Sequence, residues 1–136
     1  MIKFFLILFL ITTVYAGDDK KASSIFNLIA KDITDKASPN IYLHISNPSL
    51  EKYPGDLNIV KTCDAADLVI ISTVNYLPKE CSKKILFGTR YSHLKNPNVI
   101  GAFFWQKGRP NILFYEKRLE KYSIKLEPSF NKYIEN

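Results

Sequence analysis

Glycine is scarce in this 136-residue chain, which has only five. None sits in a run that could cradle a phosphate, so a P-loop or a dinucleotide-binding turn is excluded. The two cysteines, Cys63 and Cys81, lack the Cys-x-x-Cys spacing of a redox pair, and no Cys-x-x-Cys-His sequence is present for haem attachment. There are also only two histidines, His44 and His93, and with the cysteines they match no zinc-ligand spacing. They read instead as a strand residue and a loop residue. Ser46, Ser72 and Ser92 lack a Gly-x-Ser-x-Gly context, and Asp64 and Asp67 flank a turn that they are better placed to cap than to serve as an acid and base pair. These absences describe a protein without catalytic activity, cofactor or metal.

The first sixteen residues have a different character from the rest. Met1 to Ala16 carries a single charge at Lys3, an apolar run from Phe4 to Val14 and a small-residue ending at Ala16, which together resemble a secretory signal peptide cleaved before Gly17. An uncleaved anchor is the alternative, although the run is short against the roughly 20 residues a membrane span needs. Residues 17–136 then form one domain in the periplasm or secreted medium, expected to be soluble once processed. The formal charge of +6 drops to +5 when Lys3 leaves, and the lysines are scattered over the chain. Such a surplus suits an acidic partner surface or a membrane face, while export argues against nucleic acid.

Along the domain, Ile25, Ile29 and Ile33 recur every fourth residue with Ala22, Phe26 and Ala30 beside them, so Lys20 to Lys36 reads as an amphipathic helix. Ser38-Pro39-Asn40 ends it. Strands follow at Ile41 to Ser46, Leu57 to Lys61 and Asp67 to Thr73, the second short enough for an edge and the third apolar on both faces. Between them come a short helical turn at Leu50 to Tyr53 and a small turn at Cys63 to Ala66. A helical turn at Leu77 to Cys81, a buried strand at Lys84 to Gly88 and another turn of helix at Arg90 to Lys95 lead to the most strand-like stretch. There Val99 to Gln106 and Asn111 to Tyr115 flank Lys107, Gly108, Arg109 and Pro110, a hairpin whose first strand puts Gly101, Phe103 and Trp105 on one face and Ile100, Ala102 and Phe104 on the other. Helices at Glu116 to Tyr122 and Glu127 to Glu135 close the chain. The expected fold is α/β: a single domain with a mixed sheet of about five or six strands flanked by helices and an antiparallel hairpin near the C-terminal end.

An exported chain with an even cysteine count favours a disulfide between Cys63 and Cys81 over two buried thiols. Trp105, Lys107 and Arg109, at and beside the hairpin turn, are the residues most like partner-binding anchors. Core packing for Trp105 and a turn-holding role for Arg109 are the competing readings.

The order of segments, with Cys63 ahead of an apolar strand (CDAADLVIIS), a Gly-Arg-Pro hairpin (VIGAFFWQKGRPNILF) and a closing series of Leu119, Ile124, Leu126 and Phe130, resembles the YfiR family of small periplasmic regulators. This chain is shorter than that pattern and has only one pair of cysteines. The resemblance implies inhibition of a membrane-bound diguanylate cyclase by binding its sensor region, with that receptor as partner, and leaves self-association into a homodimer open. The alternative is a small periplasmic solute-binding domain, with its ligand at the strand ends near Ser46, Ser72, Thr73 and Thr89.

Overall fold

The apolar run Leu68–Ile71 is buried along its whole length and forms a central strand. Around it the computed structural model, which describes the backbone of residues 2–136 and the side chains of residues 18–136, arranges one seven-stranded sheet. The strands are β1 (Asn40–His44), β2 (Asn58–Val60), β3 (Leu68–Ile71), β4 (Leu86–Gly88), β5 (Val99–Gln106), β6 (Arg109–Tyr115) and β7 (Ile134–Glu135). Their order across the sheet is β2-β1-β3-β4-β5-β6-β7. The first five run parallel, β6 turns back against β5, and β7 runs parallel to β6. The α/β fold, the mixed sheet and the C-terminal hairpin are therefore as the sequence implies, with Asn58–Val60 at one edge.

Three α-helices, α1 (Ile2–Thr34), α2 (Pro48–Lys52) and α3 (Glu116–Lys121), accompany the sheet. The leader read at Met1–Ala16 lies outside the described side chains. Among the described residues no helix is long and apolar enough to cross a membrane. The isoleucine stripe of α1 does what its spacing requires: Ala22, Phe26, Ile29, Ala30 and Ile33 are buried against Ile41, Leu68, Ile70, Phe87 and Phe103 of the sheet. Leu50 of α2 and Leu119 of α3 join the same layer, so the α-helices share one face. Full burial of a side chain such as Phe87 or Phe114 contributes about 2–3 kcal/mol.

The opposite face carries Val69, Ile71, Leu86, Val99 and Ala102, which alternate with the first set as period-two strands must. It is covered by single 3-10 turns at Cys63–Ala65, Lys79–Cys81 and Tyr91–Lys95. Such turns have little apolar surface to hold them down. Two devices compensate. Cys63 and Cys81 pair with their Cα atoms 5.2 Å apart, in disulfide range. Arg118 Nη1 donates to the carbonyls of Leu94, Asn96 and Val99 at 2.9, 3.2 and 2.8 Å, with its guanidinium 4.4 Å from the centre of the Tyr115 ring.

Four local readings are corrected. The hairpin turn is two residues long, with Lys107 and Gly108 both at positive φ (53° and 74°), so Arg109 and Pro110 belong to β6. That pair of left-handed residues matches the natural strand twist. Ile100 lies on the α1 face, because the β4–β5 register slips by one residue between Leu86↔Val99 and Phe87↔Gly101. Such a bulge turns one extra side chain over. The closing helix is instead a 3-10 segment (Pro128–Tyr133) followed by β7, which adds the seventh strand. Phe130 and Tyr133, three apart, satisfy a three-residue turn as well as an α-helix. Finally, Trp105 is exposed rather than core, because β5 outruns the sheet at its far end.

Candidate functional site

The chain leaves β1 toward β2 on one side and reaches β3 on the other, so a crevice is expected where β1 and β3 end. A cleft of about 260 Å³ lies there. Ser46 after β1, Ser72 after β3, Thr89 after β4 and Trp105 of β5 all line it, which unites most of the residues singled out from the sequence. A second recess of about 490 Å³ shares Thr89, Arg90, Phe104 and Trp105 and adds Tyr91. Thr73 is not in either lining; its Oγ1 accepts from the Asn75 amide at 3.2 Å. Lys107 and Arg109 stand exposed at the hairpin tip and also line neither space.

The cleft floor is built from satisfied groups. Ser72 Oγ donates to the His44 carbonyl (2.7 Å) and Thr89 Oγ1 to the Ile71 carbonyl (2.8 Å), closing the gaps where the ladder ends. Ser49 Oγ donates to Asp19 (3.0 Å), while Asn47 caps α2 by accepting from the Leu50 amide (3.1 Å). Both strand-end hydroxyls thus spend their protons on the protein and face the cleft as acceptors. Beneath the rim, the Thr89 amide donates to Nδ1 of buried His93 at 3.0 Å, and the His93 Cβ approaches Gly88 so closely that a Cβ there would meet it at 2.8 Å. Burial first, and the nearby Arg90 charge second, hold His93 below the usual imidazole range. His44 is fixed in turn by its Nε2 contact with the Asn75 carbonyl at 2.9 Å.

The rim is apolar. Ile45, Tyr76, Tyr91 and Trp105 are exposed by 64, 90, 61 and 40%, and each follows or ends one of the parallel strands β1, β3, β4 and β5. Of these only Tyr91 and Trp105 line a recess, and Leu28 and Ile59, exposed by 64 and 37%, lie elsewhere on the surface. Ile45 and Tyr76 are also held at positive φ (72° and 61°), which for a β-branched residue such as Ile45 is a genuine outlier. Arg90 is the only charged side chain lining either recess among the described residues, and neither observed ion pair, Lys31–Asp56 or Lys36–Asp67, engages it.

A larger hollow of about 650 Å³ occurs at the other end of the sheet, beside Asp32, Lys36, Asp67 and Ile124. Several of its polar groups are engaged: Asp32 accepts from the Glu127 amide, and Asp67 accepts from Lys36 Nζ and the Asn40 amide at 2.8 Å each. Partial burial pushes the Asp67 carboxyl upward, but those two donors together with the charges of Lys36 and Lys84 hold the group below the usual carboxylate range. These contacts tie the end of α1 and the residues after it to the sheet and to the C-terminal segment. The sequence reading missed Ile45, Tyr76, Arg90 and Tyr91. Their signal was available in their position, immediately past the strands whose ends form the crevice.

In comparisons with known proteins, the chain matches no family model, no curated protein and no solved structure.

Proposed function

We propose that this chain is an exported regulatory protein, without catalytic activity of its own, that binds the sensor region of a membrane-bound diguanylate cyclase and restrains cyclic-di-GMP synthesis. The carrying observation is that exposed Trp105 and Tyr91 line one recess past the ends of the parallel strands, the kind of aromatic anchors that partner surfaces use. The Cys63–Cys81 pair suits an oxidising compartment, and the partner is the one implied by the resemblance to the YfiR family. Inhibition requires the chain to favour the inactive receptor conformation, since equal affinity for both states shifts nothing. Deleting the gene should raise cellular cyclic-di-GMP, and restoring it should bring the level back. An unchanged level in the deletion strain refutes this reading.

A solute-binding domain is the second reading, favoured by the convergence of Ser46, Ser72 and Thr89 on one cleft. The cleft's volume of about 260 Å³ falls under the roughly 300–1,000 Å³ of ordinary ligand sites. Three of its four hydroxyls, those of Ser49, Ser72 and Thr89, have also committed their protons. A thermal-shift screen with phosphate, phosphonates and amino acids separates the two, because a specific ligand raises the melting temperature.

A further inference from the structure

The tip of the β5–β6 hairpin has two unequal edges. β5 pairs with β6 out to Gln106↔Arg109 but with β4 only as far as Ala102, so Phe103 to Gln106 project past their parallel neighbour. In a hairpin closed by a two-residue turn, the pair flanking the turn exchanges both hydrogen bonds, and hydrogen-bonded and open pairs alternate from there. Gln106↔Arg109 is that first pair, so Trp105↔Pro110 is an open one. Trp105 therefore directs its N–H and C=O away from β6, and Pro110 directs its ring nitrogen away from β5. On the β6 side the missing proton of Pro110, with Lys107 and Arg109 beside it, blocks strand addition. On the β5 side the Trp105 amide and carbonyl meet no loop partner among the described residues, and Trp105 is one of the residues lining the recess of about 490 Å³. That recess is walled by Tyr91 and Phe104, whose rings are 5.8 Å apart, and its one charge is Arg90.

We infer that this recess receives an extended acidic segment of a partner protein, which hydrogen-bonds to the Trp105 backbone as an added strand and sets a carboxylate against Arg90. The inference rests on the regulatory reading above and names the surface and mode by which the partner is held. The open edge supplies backbone recognition, and the aromatic walls take an apolar side chain on the alternate position. The sole positive charge, free of any observed ion pair, selects an acidic residue over a basic one.

Trp105 is the only tryptophan in the chain, so its emission reports directly on the site. The full chain is titrated with three capped heptapeptides: valine alternating with glutamate, valine alternating with lysine, and the glutamate peptide with the amides of one edge N-methylated. The glutamate peptide should give a saturable blue shift, with the other two binding about tenfold more weakly or worse. Arg90→Glu, a change at an exposed position, should reverse the order of the two charged peptides. The absence of a saturable shift with the glutamate peptide, equal binding of the N-methylated form, or an unchanged charge preference in Arg90→Glu would each overturn the inference. The peptide comparison holds on the unaltered chain should the variant fail to fold. A chain that binds none of the peptides yet still lowers cyclic-di-GMP loses this site and keeps the regulatory function; peptide binding without any effect on cyclic-di-GMP does the reverse.

Discussion

Replacing both Cys63 and Cys81 with alanine removes the covalent tie between two 3-10 turns that otherwise have little to hold them to the sheet. The bond closes a loop with a sequence separation of 18. On the chain-entropy account such a closure stabilises the fold by on the order of 3 kcal/mol, and alanine at two buried positions adds a small packing loss. With a urea m-value of about 1.5 kcal/mol/M for a domain of this size, the midpoint of unfolding should fall by about 2 M. The assay is equilibrium urea unfolding followed by circular dichroism and by Trp105 emission, comparing the variant with the oxidised and the chemically reduced parent. Reduced parent and variant should agree closely. A midpoint within about 0.5 M of the oxidised parent, at unchanged m, would refute the reasoning, because it would mean that the covering turns hold themselves in place.

Three further outcomes are expected. Ile45→Gly relieves a β-branched residue at positive φ whose side chain is largely in solvent, so it should stabilise the fold by about 1 kcal/mol in the same unfolding assay; a loss of stability contradicts the strain assigned there. Arg118→Ala removes the donor to three backbone carbonyls and the stack on Tyr115, which should cost about 3 kcal/mol, measured as a lowered midpoint with unchanged m. Because His93 is held neutral in the fold, its contribution is complete above its unfolded value of about 6.5 and is lost as pH falls below that toward the lower folded value. Unfolding midpoints at pH 7.5 and 5.0 should therefore diverge in the parent and draw together in His93→Asn, and an equal divergence in both contradicts the assignment.

What the sequence revealed was whatever a local period encodes. The α1 stripe of Phe26, Ile29 and Ile33 and the unbroken run of β3 each state their environment within a dozen residues, while the cysteine pair follows from an even count in an exported chain. The Lys107-Gly108 turn was legible in kind but not in length, since Pro110 marks both a turn and a guarded strand edge. β7 was not legible, because two residues pair with a strand some twenty positions away and leave no period behind. The candidate site is similar. Ser46, Ser72 and Thr89 follow from the rule that ligands sit at strand ends, whereas the opposition of Arg90 and Tyr91 to Trp105 depends on how far β5 outruns β4.

The proposed grip of the Trp105 end of the sheet on a membrane receptor can be measured by adding the purified chain to membranes that contain a diguanylate cyclase and following cyclic-di-GMP production. Saturable inhibition is expected from the parent, and inhibition weakened by about tenfold or more from Trp105→Asp. Production that ignores the parent chain, or falls equally with both proteins, would contradict it.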